Sequence, residues 1–264
     1  MPNALYPPIK PRSFAELLDA VLQIFRLSLL KCLPYATLAT IAAQFWSLYY
    51  LCRGLPPELD MNDPVGVTIH GVGTLIFVML TTTLLLRQSS IAAGRPVAGS
   101  ADLLNTLKRA PAIVAICLLA GAAAAVFMMP ALALAPPYRT AGIIVMLAPT
   151  IYIGIALSFA VPALVLARKG VLGSIAYSFR LVRGNWWRVA AIYCVGIGVI
   201  LTLSTLVATI IAVASTGDAT HDAAISRAVS SAVVLAVFAI GLTFYSALTL
   251  ALFGDLEVRK ATLR

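Results

Sequence analysis

VAAIYCVGIGVILTLSTLVATIIAVASTG, Val189–Gly217, is the stretch that decides the fold class. No Asp, Glu, Lys or Arg interrupts it. A bilayer core about 30 Å thick takes about 20 helical residues at a 1.5 Å rise. The run can therefore cross once, and it is too short to cross twice with a turn. Its polarity does not alternate, as it would in a transmembrane strand of about ten residues. The same reading recurs along the chain. Cys32–Cys52, Pro64–Leu86, Ala110–Tyr138, Thr140–Ala167 and Ala228–Gly254 are uncharged runs as well, each long enough for one crossing. The expected fold is all-α: a polytopic membrane protein with six transmembrane helices in a single integral-membrane domain, 1–264. The spans fall near 32–52, 66–86, 111–134, 143–167, 189–213 and 229–253.

Composition agrees. Of 264 residues, 61% are apolar and only 11% charged. A soluble domain has roughly 45–50% apolar and about 25% charged residues. Disorder is excluded, because disordered chains are poor in aromatic and β-branched residues. A cleavable signal is not expected. The segment ahead of Cys32, where the first apolar run begins, carries Lys10, Arg12, Glu16, Asp19, Arg26 and Lys31.

Basic residues set the orientation. With the N-terminus inside, sixteen of the nineteen Lys and Arg fall in inside segments, and only Arg53, Arg139 and Arg227 lie outside. The acidic residues divide evenly, which fits a rule that counts Lys and Arg rather than net charge. Both termini, with residues 1–31 and the tail 255–264, are expected in the cytoplasm. The +9 charge then needs no nucleic-acid partner. It lies where anionic headgroups lie, and each juxtamembrane base there contributes about 1 kcal/mol.

Amphipathic helices are expected before spans 1, 3 and 5. Ser13 and Glu16 spell a capping box, and Phe14, Leu17, Leu18, Val21, Leu22, Phe25 and Leu29 then recur on one helical face. Such a helix lies in the headgroup plane or packs on the inner end of the bundle. Ser100 precedes a similar stretch to Arg109, and Ser174 one that ends at Gly184-Asn185. The chain thus reads as three units, each a Ser-capped helix with an outgoing and a returning span. Repeats of two spans keep one orientation, unlike the inverted repeats of many transporters.

Three stretches carry a family resemblance. Arg12-Ser-Phe-Ala-Glu-Leu-Leu-Asp-Ala-Val is similar to the opening of the bacterial glycerophosphoryl diester phosphodiesterase membrane-domain family. Ala163-Leu-Val-Leu-Ala-Arg-Lys-Gly-Val-Leu-Gly-Ser-Ile-Ala-Tyr-Ser-Phe-Arg-Leu-Val-Arg-Gly-Asn-Trp-Trp-Arg resembles its central stretch. Ala247-Leu-Thr-Leu-Ala-Leu-Phe-Gly-Asp-Leu-Glu-Val-Arg-Lys resembles its closing segment, where a short acidic-Leu-x-x-Arg stretch follows the last helix. The resemblance implies a six-helix multipass protein of the bacterial inner membrane and supplies no defined activity for stand-alone members. Two-part members carry a separate catalytic barrel. Such a barrel needs about 250 residues, so none is expected within these 264.

Chemistry-bearing groups are sparse. His70, near Asp60 and Asp63, and His221, within Asp218–Asp222, match no metal-ligand spacing. Cys32, Cys52, Cys117 and Cys194 are dispersed, so no disulfide is expected. No cofactor, metal or catalytic group is expected. Pro149 and Pro162 interrupt the fourth run, and Pro130 the third; each kinks a helix. Gly121 with Ala125, and Gly196 with Gly198, read as close-packing positions.

The expected function is therefore a non-enzymatic scaffold or accessory protein acting on anionic lipids or membrane-protein partners at the cytoplasmic face. A permease or lipid-translocating protein is the alternative, with a polar path through Ser158, Thr202, Thr205 and Thr209. The sharpest candidate site is a basic cluster. Arg168, Lys169, Arg180, Arg183 and Arg188 follow one another closely on the inner side. On a helix Arg180 and Arg183 fall about 60° apart, on one side. They are the expected headgroup ligands, with Trp186 or Trp187 setting depth.

Overall fold

The computed structural model describes residues 5–55, 63–95, 99–216 and 223–262. Their regular structure is helical throughout: α1 (Phe14–Ala43), α2 (Phe45–Cys52), α3 (Pro64–Ala92), α4 (Gly99–Lys108), α5 (Ala110–Leu132), α6 (Pro136–Leu157), α7 (Ala160–Val165), α8 (Val171–Val182), α9 (Trp186–Thr216) and α10 (Ala223–Thr262). Asp60 and the His221 cluster, with Asp218 and Asp222, lie outside the described residues, as does Arg264.

Among the described residues five segments are long and apolar enough to cross a membrane: Pro64–Ala92, Ala110–Leu132, Pro137–Val165, Trp186–Ile211 and Ser231–Thr262. The first expected span is not among them. Its amphipathic lead and its apolar run are not separate elements, because α1 continues unbroken past Lys31 to Ala43. No turn residue separates Leu29 from Cys32, and α1 carries Pro34 in its interior without ending there. The division comes instead at Gln44, and α2 carries the chain on to Cys52.

The helix starts follow local chemistry. Ser13 and Glu16 form the expected capping box: the Glu16 N–H donates to Ser13 Oγ at 3.3 Å, and the Ser13 N–H to Glu16 Oε2 at 2.7 Å. The Ser13 backbone amide, and then its hydroxyl, hold the Glu16 carboxyl below the usual carboxylate range. The other two serines do not cap. α8 begins three residues before Ser174, with Gly170 at its N-cap, and Ser174 is buried inside the helix. α4 begins at Gly99, ahead of Ser100.

The fourth run breaks once. α6 passes through Pro149, and the chain breaks at Ser158–Phe159 before α7. The reason is Pro162, whose ring opposes the carbonyl four residues back, that of Ser158. Ser178 on α8 closes the wound. Its hydroxyl accepts from the Phe159 N–H at 3.2 Å and donates to the Ala156 carbonyl at 2.6 Å.

α1 packs on α3 and α10, α10 on α9, and α5 on α6. The core lies at one end, where Leu17, Val21 and Ile24 of α1 meet Phe159, Leu181, Ile192 and Leu248–Phe253. Burying such side chains contributes about 1.5–3 kcal/mol each against water, and their packing supplies the contacts in a membrane. The start of α1, the ends of α3 and α10, α4, α8 and the foot of α9 gather there into a collar. Leu5 and Tyr6 donate backbone bonds to Ala92 O, at 2.9 and 3.3 Å. Gln88, fully buried, ties three helices by donating to Ser28 Oγ at 3.2 Å and to the Thr243 carbonyl at 2.9 Å. At the far end Arg53 pairs with Asp63 at 3.6 Å and closes α2 against α3.

Candidate functional site

The collar is built around Asp255. Its side chain is fully buried. Oδ1 accepts the Arg12 N–H at 2.7 Å, and Oδ2 accepts Arg259 Nε at 2.8 Å and Arg188 Nη2 at 3.4 Å. The Arg12 carbonyl in turn accepts from Arg188 Nη2 at 2.8 Å and from Arg259 Nη2. One carboxylate and one carbonyl thus hold two guanidiniums, and so fasten the N-terminal segment, the foot of α9 and the end of α10 together. Pairing of this kind is what makes a buried charge tolerable. The Asp-Leu-x-x-Arg stretch does not follow the last helix, as the family resemblance implies. It lies within α10, which continues to Thr262.

Next to this lock the expected basic cluster does not stay whole. Arg188 belongs to Asp255. Lys169 lies over the Tyr177 ring at 5.6 Å, and Arg168 lines a different cavity, beside α4. Arg180 and Arg183 stay together. With Trp186, Tyr152, Phe179 and Gly184 they line an open cavity of about 550 Å³. Both arginines are exposed, and no acid forms an ion pair with either among the described residues. Arg180 also lies over Tyr177, at 5.5 Å, a favourable approach of a cation to a ring face. The floor is aromatic. Trp186 stacks on Tyr152 with centroids 5.6 Å apart and donates its indole N–H to the Tyr152 carbonyl at 3.4 Å. Trp187 meets Trp186 edge-on at 4.7 Å and is 80% exposed. Gly184, at φ +86°, follows α8 and turns the chain into α9, which sets the tryptophans beside the arginines.

The polar-path residues are not assembled in this way. Thr202, Thr205 and Thr209 lie on the exposed surface of α9. The Thr202 and Thr209 hydroxyls donate to their own helix, at Gly198 O and Thr205 O. Ser158 lies at the α6–α7 break and donates to Ile155 O at 2.8 Å. At the far end His70 packs edge-on against Trp46 at 6.1 Å.

A family model described as the membrane domain of glycerophosphoryl diester phosphodiesterase matches residues 127–264, just over half of the chain. The chain belongs to that family. The match runs from the last turns of α5 through α10 and takes in Arg180, Arg183, Trp186, Arg188 and Asp255. It is a match to the membrane domain, not to the catalytic part of the phosphodiesterase. No curated protein and no solved structure matches this family member.

Two residues to which sequence reasoning assigned no role organise the site. Asp255 left a signal in its four-residue spacing to Arg259, the spacing of an ion pair on one helix face. Ser178 stands one turn beyond Ser174 on the same face of α8, but its partner, the α6–α7 break, is visible only in three dimensions.

Proposed function

We propose that this protein is a non-enzymatic multipass membrane scaffold or accessory protein. It engages anionic lipids or membrane-protein partners through its collar, which faces the cytoplasm. The first of six crossings is made by α1 and α2 in tandem. The supporting observation is the cavity lined by Arg180, Arg183 and Trp186. Two guanidiniums with no acidic partner among the described residues stand over an aromatic floor on an exposed collar. Arginine offers a planar fork that matches two phosphate oxygens at once, and tryptophan favours headgroup depth.

The test exploits the difference between a fork and a point charge. Arg180→Lys with Arg183→Lys keeps the charge and removes the bidentate geometry. Purified into detergent with mixed phosphatidylglycerol and phosphatidylcholine, the wild-type chain retains phosphatidylglycerol. The double variant is expected to retain several-fold less, with unchanged thermal unfolding. Equal retention would leave a general positive field and no defined headgroup site.

A further inference from the structure

A second basic cavity lies on the collar, between the end of α3, α4 and the stretch after α7. Its volume is about 230 Å³, and Arg95, Arg109 and Arg168 converge on it with Ser90 and Asn105. Asp102 is the one acid in its wall among the described residues. Oδ2 of that residue is buried without a hydrogen-bond partner among the described residues, and no Lys or Arg pairs with it there. Burial raises the Asp102 carboxyl above its usual range, against the lowering pull of Arg87 and Arg95. Three guanidiniums therefore face one poorly placed carboxylate across a small space whose other walls include Leu86, Val165 and Leu166.

The arginines are held in different ways. Arg109 is fixed: Nη1 donates to the Leu164 and Val165 carbonyls at 2.6 and 3.1 Å, the open C-terminal end of α7. Its Nη2 and Nε make no hydrogen bond among the described residues. Arg168 has φ +53°, a left-handed backbone that a non-glycine residue adopts at a cost and that is over-represented at ligand sites. Arg95 and Arg168 are both exposed, and no ion pair engages either among the described residues. Thr106 of α4 is tied to Thr83 of α3 at 3.0 Å, which fixes the wall that carries Asp102 and Asn105. On its other side α4 leaves Leu103, Leu104 and Leu107 exposed, as a helix lying at headgroup depth does.

We infer that this cavity binds a tetrahedral phosphate-class oxyanion through Arg95, Arg109 and Arg168, with Ser90 and Asn105 as neutral donors. A lipid headgroup phosphate and free phosphate share that chemistry. The site uses none of the donors of the Arg180–Arg183 cavity, so the two stand or fall separately.

The full-length protein in detergent is titrated with inorganic phosphate and followed by phosphorus NMR. Arg95→Gln with Arg168→Gln is expected to weaken phosphate binding by about tenfold or more, since each charge-assisted hydrogen bond contributes more than a neutral one. Asp102→Asn removes the one repelling charge and is expected to tighten binding. Arg180→Lys with Arg183→Lys is expected to leave it unchanged. Repeating the titration in nanodiscs of phosphatidylcholine with and without phosphatidylglycerol separates the sources. Loss of phosphate binding in the anionic discs assigns the site to a headgroup, and retained binding assigns it to free phosphate. Should the double arginine variant not fold, Asp102→Asn decides alone, because unaltered affinity in that variant overturns the inference. So does a phosphate response that is the same in wild type and the arginine variant.

Discussion

The two halves of α9 meet different surroundings. Near its foot, Val189, Ile192 and Tyr193 are buried among the ends of α1, α8 and α10. Two turns further on, Leu201, Leu203, Leu206 and Ile210 are all exposed. α10 behaves alike. Val233, Val234 and Phe238 are exposed, whereas Ala247–Leu256 is buried almost all round. Both halves are predominantly apolar. What differs is the polar hardware between them. The collar end has Asp255 with its two arginines, Gln88 with its two acceptors, and Ser178 in the helix break. The far half of α9 spends its Thr202 and Thr209 hydroxyls on its own backbone. Lipid tails are as apolar as leucine, so apolar character alone does not bring helices together in a membrane. Close packing and buried polar ties do, and this chain concentrates both at one end.

The strongest way to break that contrast is to remove the lock. Asp255→Ala leaves Arg188 and Arg259 facing each other and the Arg12 backbone amide with no acceptor. Breaking a buried ion pair from one side costs about 3–5 kcal/mol. The variant is expected to lose most of its monodisperse peak in fluorescence-detected size-exclusion chromatography. Arg53→Ala, which breaks the exposed Arg53–Asp63 pair at the far end, is the matched control and is expected to cost less than about 1 kcal/mol. If the two variants behaved alike, the collar would not be the stabilising end.

A smaller contrast uses apolar residues alone. Phe159 is fully buried, between Tyr193 at 6.2 Å and Phe253 at 6.0 Å between ring centroids. Phe159→Ala is expected to cost about 3–5 kcal/mol, from lost contacts and the cavity left behind. Leu206→Ala, on the exposed half of α9, is expected to stay within about 0.5 kcal/mol. Thermal unfolding in detergent reads both. A large loss at Leu206 would mean that another surface covers that half of α9.

The sequence showed the division into apolar runs because charge is excluded from a membrane core wherever it lacks a partner. It also showed the capping box at Ser13, which is purely local. It did not show that α1 would continue through Lys31, because an amphipathic stretch and an apolar run with no breaker between them read as two elements only by composition. Nor did it show the burial of Asp255. A charged residue just past an apolar run looks like the start of a solvated tail, and only the Arg12 and Arg188 side of the lock, far away in the chain, turns that position inward. The basic cluster was legible as a cluster. Its separation into a structural arginine, Arg188, and two that pair with no acid among the described residues, Arg180 and Arg183, was not. Gly184 re-aims the chain between them, and sequence distance carries no record of that turn.

The finest test of the contrast is a pair of glycines two residues apart. Gly196 and Gly198 have the same sequence context, and both read as close-packing positions. The structure separates them. A Cβ at Gly196 would stand 3.0 Å from Leu248 Cδ1 and 3.1 Å from Cδ2, whereas at Gly198 it would meet nothing within 4 Å. Leu248 is itself fully buried, so it has little room to turn aside. Gly196→Val adds two further methyl carbons into that contact and is expected to cost about 1–3 kcal/mol, the usual range for overpacking. Gly198→Val points into open space on a helix and exchanges a poor helix former for a better one, so it is expected to be neutral or to stabilise by a few tenths of a kcal/mol. Unfolding temperatures measured side by side decide it. If the two variants melt together, α9 does not press on α10 at Gly196, and the packed half of α9 ends nearer its foot than the structure places it.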